Sequence, residues 1–290
     1  MLRLLPLAKD ASTRHAARDL LVRALPYDRI DVVWEEKLWG DDGARTGRAI
    51  GAYEDEALVG VYADAGRFIK LLAVDLHARR RGVGTALLGN ARTNARAGDH
   101  PGNYLAPGID ERYEAGLAFF SKHGFVERER VENLRVPYEG NDRVSAARAD
   151  AARDDAAKHG YRVAVVSEGE LPAVLAMIAT QFAAVWANEA AHAFRGPRCA
   201  LFVAWDASDD PVAFAAADGN NQGLGWFGPA GTLPEHRGKK LGEALLLRCL
   251  LAVAGLPEAG VIAWIGPKPF YERATAAVFD RRFVQLERPT

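Results

Sequence analysis

The amino-acid sequence predicts an α/β protein made of two similar domains in tandem. Three observations lead there. A basic, glycine-bearing turn ahead of a leucine-rich segment occurs twice, a β-rich run precedes each copy, and 290 residues is about the length of two ordinary domains. The first copy is "ARRRGVGTALL", Ala78 to Leu88, and the second is "PEHRGKKLGEALLLRCL", Pro234 to Leu250. With Gly84 laid on Gly242 the copies stand 158 residues apart, so that Arg79 meets Arg237, Ala86 meets Ala244 and Leu87–Leu88 meet Leu245–Leu246. A period this long marks a duplicated domain, since solenoid repeats are several times shorter.

The flanking segments repeat as well. "RAIGAYEDEALVGVYADAGRFIKLLAVDL" reads as three strands with turns near Asp55 and Ala65. "CALFVAWDASDDPVAFAAADGNNQGLGWFGPAGTL" follows the same scheme, with "DASDDP" and "DGNNQG" as turns. After each leucine-rich helix comes a further strand ("NYLAPG"; "GVIAWIG"), a short helix and a final pair of strands. Between the halves, "NDRVSAARADAARDDAAKHG" is alanine-rich and heavily charged, the pattern of a solvent-exposed connecting helix. The expected organisation is a domain over 1–140, a connector over 141–160 and a domain over 161–290.

Composition narrows the function. Hydrophobic residues at 49% and charged residues at 26% describe an ordinary globular chain. A net charge of −1 gives no global field to draw nucleic acid or an anionic membrane, so any affinity for anions is local. No apolar run approaches the roughly 20 residues of a membrane span, and "MLRLLPLAKDAST" lacks the apolar core and cleavage site of a signal peptide. Cys199 and Cys249 lack metal-ligand spacing and read as reduced, buried thiols. The expectation is a cytoplasmic monomer or homodimer with no metal, membrane or nucleic-acid partner.

The turn itself carries chemistry. A helix begins with unpaired N–H groups and the positive end of its dipole, a ready seat for an anion. Gly82 and Gly84 let a bulky phosphate approach the backbone, while Arg79, Arg80 and Arg81 add charge in fork geometry. The pattern therefore predicts a pyrophosphate site. The dinucleotide fingerprint G-x-G-x-x-G fails because Leu87 stands at its third glycine, and the P-loop pattern does not occur.

At these residues the chain resembles the GNAT superfamily of acetyl-CoA-dependent N-acetyltransferases. "VDLHARRRGVGTALL" is similar to its V-x-P-x-x-[RQ]-x-x-G-x-[GA] signature at Val74, Arg79, Gly82 and Gly84, with Leu76 where proline is common. "TLPEHRGKKLGEALL" matches at Pro234, Arg237 and Gly242 and has Lys240 in place of the first glycine, compatible with the turn where its φ is negative. The resemblance spans nearly the whole chain and implies two tandem GNAT-type domains, each a mixed, mostly antiparallel sheet flanked by helices in an α-β-α sandwich. It further implies acetyl-CoA (coenzyme A) as cofactor. The expected cofactor-binding residues are Val74, Leu76, Arg79, Arg81, Gly82, Val83, Gly84 and Thr85 in the first half. In the second they are Thr232, Pro234, Arg237, Gly238, Lys239, Lys240, Leu241, Gly242 and Glu243.

Acyl transfer from a thioester to an amine needs a neutral amine, N–H donors for the carbonyl oxygen and a proton for the leaving thiolate. The donors are expected where the strands end near Leu76 and Thr232. The family supplies the proton from a tyrosine in a pattern like Y-x-K-x-G-F. "FFSKHGF" fits it but places Phe120 at the tyrosine, whereas "FYERATAAVF" offers Tyr271. The gapless alignment pairs Tyr271 with Tyr113; the lengths of chain that follow favour Phe120 instead. Tyr271 is thus the expected general acid and the second half the expected catalytic domain. Asp75, Asp218 and Glu235 are weakly marked as bases, His192 and His236 read as surface residues, and Trp34, Trp39, Trp186, Trp226 and Trp264 as core with a part in an acceptor pocket. Tandem proteins of this kind imply a small-molecule amine acceptor, an amino sugar among the candidates. The competing classes are a non-catalytic acyl-CoA-binding protein and a nucleotide-binding module that only mimics the turn.

Overall fold

The computed structural model describes residues 1–289. The chain divides into two compact units, Met1–Val131 together with the chain from Arg282 on, and Glu132–Arg281. The first unit contains β1 (Leu2–Pro6), α1 (Ala11–Ala24), α2 (Ile30–Trp39), β2 (Arg48–Glu54), β3 (Ala57–Ala65), β4 (Phe68–Val74), α3 (Val83–Leu88), β5 (Arg96–Ala97), β6 (Ile109–Asp110), α4 (Glu114–Lys122) and the start of β7 (Val126–Arg135). The second contains the end of β7, then α5 (Ala146–Lys158), β8 (Arg162–Val165), α6 (Leu171–Gln181), α7 (Ala184–Arg195), β9 (Leu201–Trp205), β10 (Pro211–Ala217), β11 (Phe227–Thr232), α8 (Leu241–Val253), β12 (Val261–Ile262), α9 (Lys268–Thr275) and the start of β13 (Val278–Glu287).

Local signals explain most of these elements. Asp10 caps α1 by accepting the Thr13 N–H, and Ala17, Leu20, Leu21 and Ala24 bury one stripe of it. Two-residue turns close β2–β3 at Asp55–Glu56 and β3–β4 at Gly66–Arg67, with positive φ at Asp55 and Gly66. In α8 the leucine-rich run buries Leu241, Ala244, Leu245, Leu246, Leu247, Cys249, Leu250 and Val253.

The strand order of the first unit is β1-β2-β3-β4-β5-β13, with β6 also on β13; that of the second is β8-β9-β10-β11-β12-β7. Each sheet is antiparallel apart from one central pair, β4 with β5 and β11 with β12. In the first unit α1 and α2 pack on β2–β4, while Val83, Leu87 and Phe120 bring α3 and α4 into one core with Ile50, Tyr62 and Ile69.

The structure departs from expectation at four places. Residues 103–108, "NYLAPG", are not a strand; the strand of that position is the earlier β5, and Gly98, with φ +88, turns the chain away from it. "GVIAWIG" supplies only the two residues of β12, since Trp264 with φ +48 leaves the extended region. Each expected final strand pair is one ten-residue strand, β7 or β13. The 141–160 segment is not a bare connector: α5 buries Ala149, Ala152 and Ala156 and packs on α8 within the second unit, where small side chains permit a close approach. The chain divides at Val131/Glu132 and again at Arg281/Arg282, not at 140 and 161. Cys199 is exposed; Cys249 is buried.

The first sheet is completed by the end of the sequence, through Phe283 opposite Asp110 and Leu286 opposite Ala97. Phe283 is fully buried. Phe283→Ala is expected to destabilise the protein by about 3–5 kcal/mol in urea unfolding, the range for an aromatic removed from a packed core.

Candidate functional site

The two basic turns share one backbone design. After β4 the chain passes a 3₁₀ turn, Leu76–Ala78, and reaches α3 through Arg80 (φ +63) and Gly82 (φ +85). After β11 it passes Pro234–His236 and reaches α8 through Gly238 (φ +76) and Lys240 (φ +60). Both turns therefore use two left-handed residues, and each copy gives its glycine to a different one. Lys240 does not have the negative φ expected of it; the turn holds its backbone where an L-residue pays roughly 1 kcal/mol. The Nε groups of Arg79 and Arg237 donate to the carbonyls of Val74 (3.1 Å) and Thr232 (3.2 Å), bracing each turn against the strand it leaves. In α3 the Ala86 N–H is the one that reaches back to Gly82 O (3.0 Å), so the amides of Val83, Gly84 and Thr85 lie ahead of that bond at the open helix entrance.

A cleft of about 1260 Å³ starts at the first turn. It passes Arg79, Arg80, Gly82, Gly84 and Thr85, follows β4 from Ile69 to Val74, and continues by Ala97 and Gly98 to Tyr27, Asp28 and Tyr113. Its origin is a parting of strands. β4 and β5 pair at Phe68–Arg96 and Ile69–Ala97, the Gly98 N–H reaches Ile69 O (3.1 Å), and on its other side β4 bulges against β3 with Lys70 as the extra residue. The second unit repeats this at lower scale. β11 meets β12 at Phe227–Ile262 and bulges at Gly228–Pro229, where Pro229 stands at the place of Leu71 and has no N–H to offer. Its cavity, about 410 Å³, is confined to the turn, α8 and α9.

Most expected cofactor residues line these spaces: Val74, Leu76, Arg79, Gly82, Gly84 and Thr85 in the first, Thr232, Arg237, Gly238, Lys240, Leu241, Gly242 and Glu243 in the second. Arg81 does not, because Glu54 on β2 takes its guanidinium through both carboxylate oxygens. Val83 is buried in the core, and Pro234 and Lys239 stand outside the second cavity. Lys240 is ion-paired to Asp155 (3.2 Å) and Glu243 to Arg148.

The placement of the aromatic residues on α4 and α9 sets Tyr271 opposite Phe120. A Cβ on Gly84 would lie 3.2 Å from the Phe119 ring, and one on Gly242 would lie 3.5 Å from the Phe270 ring. Burial pushes the Tyr271 phenol up to about 12, so it is a hydrogen-bond donor at neutral pH. Tyr271 packs on the core beside Phe227 and Phe270 and does not line the second cavity. Of the weak base candidates, Asp75 pairs with Arg23 (2.8 Å) and caps His77, and Asp218 accepts the Gly223 and Gly225 amides. Glu235 is exposed. His236 lines the second cavity with Nδ1 3.0 Å from the Tyr161 hydroxyl, and no tryptophan lines either space.

Sequence reasoning missed one polar group in the lining of the first cleft. There the Tyr113 hydroxyl donates to Asp28 (2.8 Å) and accepts the Tyr27 N–H (3.1 Å). Burial and the Asp28 charge push the Tyr113 phenol far up. Lys70 also went unread, although a single lysine in the apolar run "FIKLLAV" was the available signal. Its ammonium donates to Gly40 O (2.6 Å), and burial, then the Lys37 charge, pull it down to about 7.

Solved structures share this fold. A glucosamine N-acetyltransferase region of a fungal multi-domain β-N-acetylglucosaminidase superposes with a TM-score of 0.76 at 16% identity, over 99% of this chain and 38% of that one. This chain thus spans well under half of that protein. A tandem GNAT protein from the clavulanic acid pathway matches with 0.68 at 19% identity over 100% and 99%. A GCN5-related N-acetyltransferase from Sphaerobacter thermophilus matches with 0.65 at 15% over 99% and 96%. No family model matches the sequence, and no curated protein does. The chain has the fold of a tandem GNAT protein, two such domains in one polypeptide.

Two outcomes follow from the turn and the strand bulge. Lys240→Gly removes the left-handed penalty and only an exposed ion pair, so it is expected to stabilise the protein by about 1 kcal/mol, read as a raised urea midpoint at constant slope. Lys70 binds its proton more weakly folded than unfolded. The unfolded chain therefore holds more protons above about pH 7, and stability is expected to rise from about pH 7 to 9. Thermal unfolding of Lys70→Met should show that rise flattened.

Proposed function

We propose that the protein is an acyl-CoA-dependent N-acyltransferase acting on the primary amine of a small polar molecule, an amino sugar among the candidates. The observation that supports this best is the continuity of the first cleft. It takes in the helix-entrance amides, the Arg80 guanidinium, which has no ion pair among the described residues, a parted strand pair and the polar group of Asp28 and Tyr113. Those features match a carrier with a diphosphate at one end and a thioester on a flexible arm. Acyl-coenzyme A, when bound, would supply the activated acyl group. The entrance amides and Arg80 would hold its diphosphate, Arg79 keeps the turn against Val74, and the open edge of β4 beyond Ile69 would offer N–H donors to the thioester oxygen; the neutral amine would bond to the acyl carbon as the C–S bond breaks, its proton passing to the leaving sulfur to give free thiol.

A second reading places the proton donor on Tyr271 in the second unit. The matched packing of Phe119 on Gly84 and Phe270 on Gly242 supports it, as does the protonated state of that phenol. Against it stand the smaller cavity and the proline in the β11 bulge.

Release of free thiol from acetyl-CoA with a panel of small amines separates the readings. If the first cleft carries the reaction, Arg80→Glu is expected to lower kcat/KM at least about tenfold, by loss of a charge-assisted phosphate contact, while Tyr271→Phe leaves turnover unchanged. If Tyr271 is the acid, Tyr271→Phe lowers turnover about 10²–10³-fold. Calorimetric binding of coenzyme A without thiol release by any amine would make the protein a carrier-binding module instead. Binding of ATP but not coenzyme A would overturn both.

A further inference from the structure

Phe68 opens β4, one residue before Ile69 lines the cleft. Three guanidinium carbons gather around its ring, those of Arg45 at 4.6 Å, Arg96 at 5.3 Å and Arg67 at 5.7 Å from the centroid. The neutral ring of His100 stands 5.4 Å away, its pKa pulled down to about 4 by burial. The buried carboxylates here are already shared. Asp42 pairs with Arg45 (2.9 Å), and Asp99 takes both Arg96 and Arg128 (3.3 Å to the latter). Glu129 reaches Arg128 from the surface at 3.7 Å.

Glu287 stands opposite Arg96 on β13, so four carboxylates face four guanidinium groups, yet the pairing leaves Arg67 over. The half-buried Arg67 side chain has no hydrogen bond or ion pair among the described residues, and its Nε is buried without a partner. The Arg96 Nε and Asp99 Oδ1 are likewise buried and unpartnered. Burial, then the charges of Arg128 and Arg67, pull Arg96 down to about 10. The charges of Glu287 and Glu129 oppose that pull, and the donors left over at Arg67 and Arg96 are of the kind an anion satisfies. Position says which anion. Arg96 directly precedes Ala97 and Gly98 of the cleft wall, and from Phe68 to Leu71, past the bulge, is about 10 Å along an extended strand.

We propose that Arg45, Arg67 and Arg96, gathered around Phe68, seat the anionic group, carboxylate or phosphate, of the amine acceptor. The inference rests on the acyltransferase reading and narrows its substrate class to amines that carry an acid several bonds away. ω-Amino acids and phosphorylated amino sugars meet that description. The fork of Arg67 supplies the donors still lacking a partner, while Arg45 and Arg96, held by Asp42 and Asp99, keep the seat in shape.

Calorimetry on the full chain tests it with three probes: 4-aminobutyrate, O-phosphoethanolamine and n-butylamine. At least one of the two acidic amines should bind and n-butylamine should not; which acidic amine binds tells carboxylate from phosphate. Arg67→Ala should weaken that binding about ten- to hundredfold, as for a lost hydrogen bond to a charged group. Arg67→Lys should recover part of it, and coenzyme A binding should be unchanged in both. Acidic amines that bind no better than n-butylamine, or that bind Arg67→Ala as tightly as the parent, would overturn the proposal. Loss of coenzyme A binding in Arg67→Ala would also overturn it, by showing a general disturbance of the unit. If the parent binds the acidic amines but not coenzyme A, the transferase reading fails and the anion seat stands.

Discussion

The structure turns on the one place in each sheet where parallel strands meet and then part. Antiparallel neighbours can stay paired to their ends, but β4 and β5 share only two residue pairs before a bulge and Gly98 send them apart. The parting leaves strand edges whose N–H and C=O groups face a gap instead of a partner, and unpaired backbone at depth is tolerated only where something else will satisfy it. The helix entrance at the end of β4 adds three more open amides to the same wall. A cleft lined by unsatisfied backbone rather than by a particular set of side chains explains why two units with different turn residues keep one shape.

The two copies then diverge in how much of that opportunity they retain. In the second turn Lys240 is paired with Asp155 and Glu243 with Arg148, Lys239 has no ion pair among the described residues, and Pro229 removes an N–H from the bulge. In the first, Arg81 is tied to Glu54 and Arg79 to the backbone, so Arg80 is left as the outward charge. Duplication has produced one roomy site and one narrow one from the same backbone plan.

Much of this was legible in the sequence because glycines, arginines and leucine-rich helices are local signals. The turns at Asp55, Gly66 and Asp206–Asp210, the capped α1 and both phosphate turns follow from nearest-neighbour chemistry. What was not legible depends on partners far along the chain. Lys240 has positive φ because the turn geometry is imposed by the flanking strand and helix, which overrides its own preference. "NYLAPG" reads as a strand, yet its Pro107 carbonyl instead accepts the buried Gln285 side chain, 178 residues away in sequence. The alanines of α5 read as an exposed helix because charge surrounds them, and only their spacing at 149, 152 and 156 reveals a buried stripe. The arginine cluster at Phe68 was invisible for the same reason: Arg45, Arg67 and Arg96 come from three separate loops and strands.

The exchange of β13 bears on how the polypeptide becomes folded as it is made. Residues 1–131 include nearly all of the first unit, but the strand that covers Ile109–Asp110 and Ala97 begins only after Arg281. While a ribosome is still adding the intervening 150 residues, that sheet has a bare edge, and Glu132–Arg281 already holds everything its own core requires. The later-made unit is thus the first that synthesis can finish, and the earlier-made one must wait, its edge exposed, for β13 to emerge.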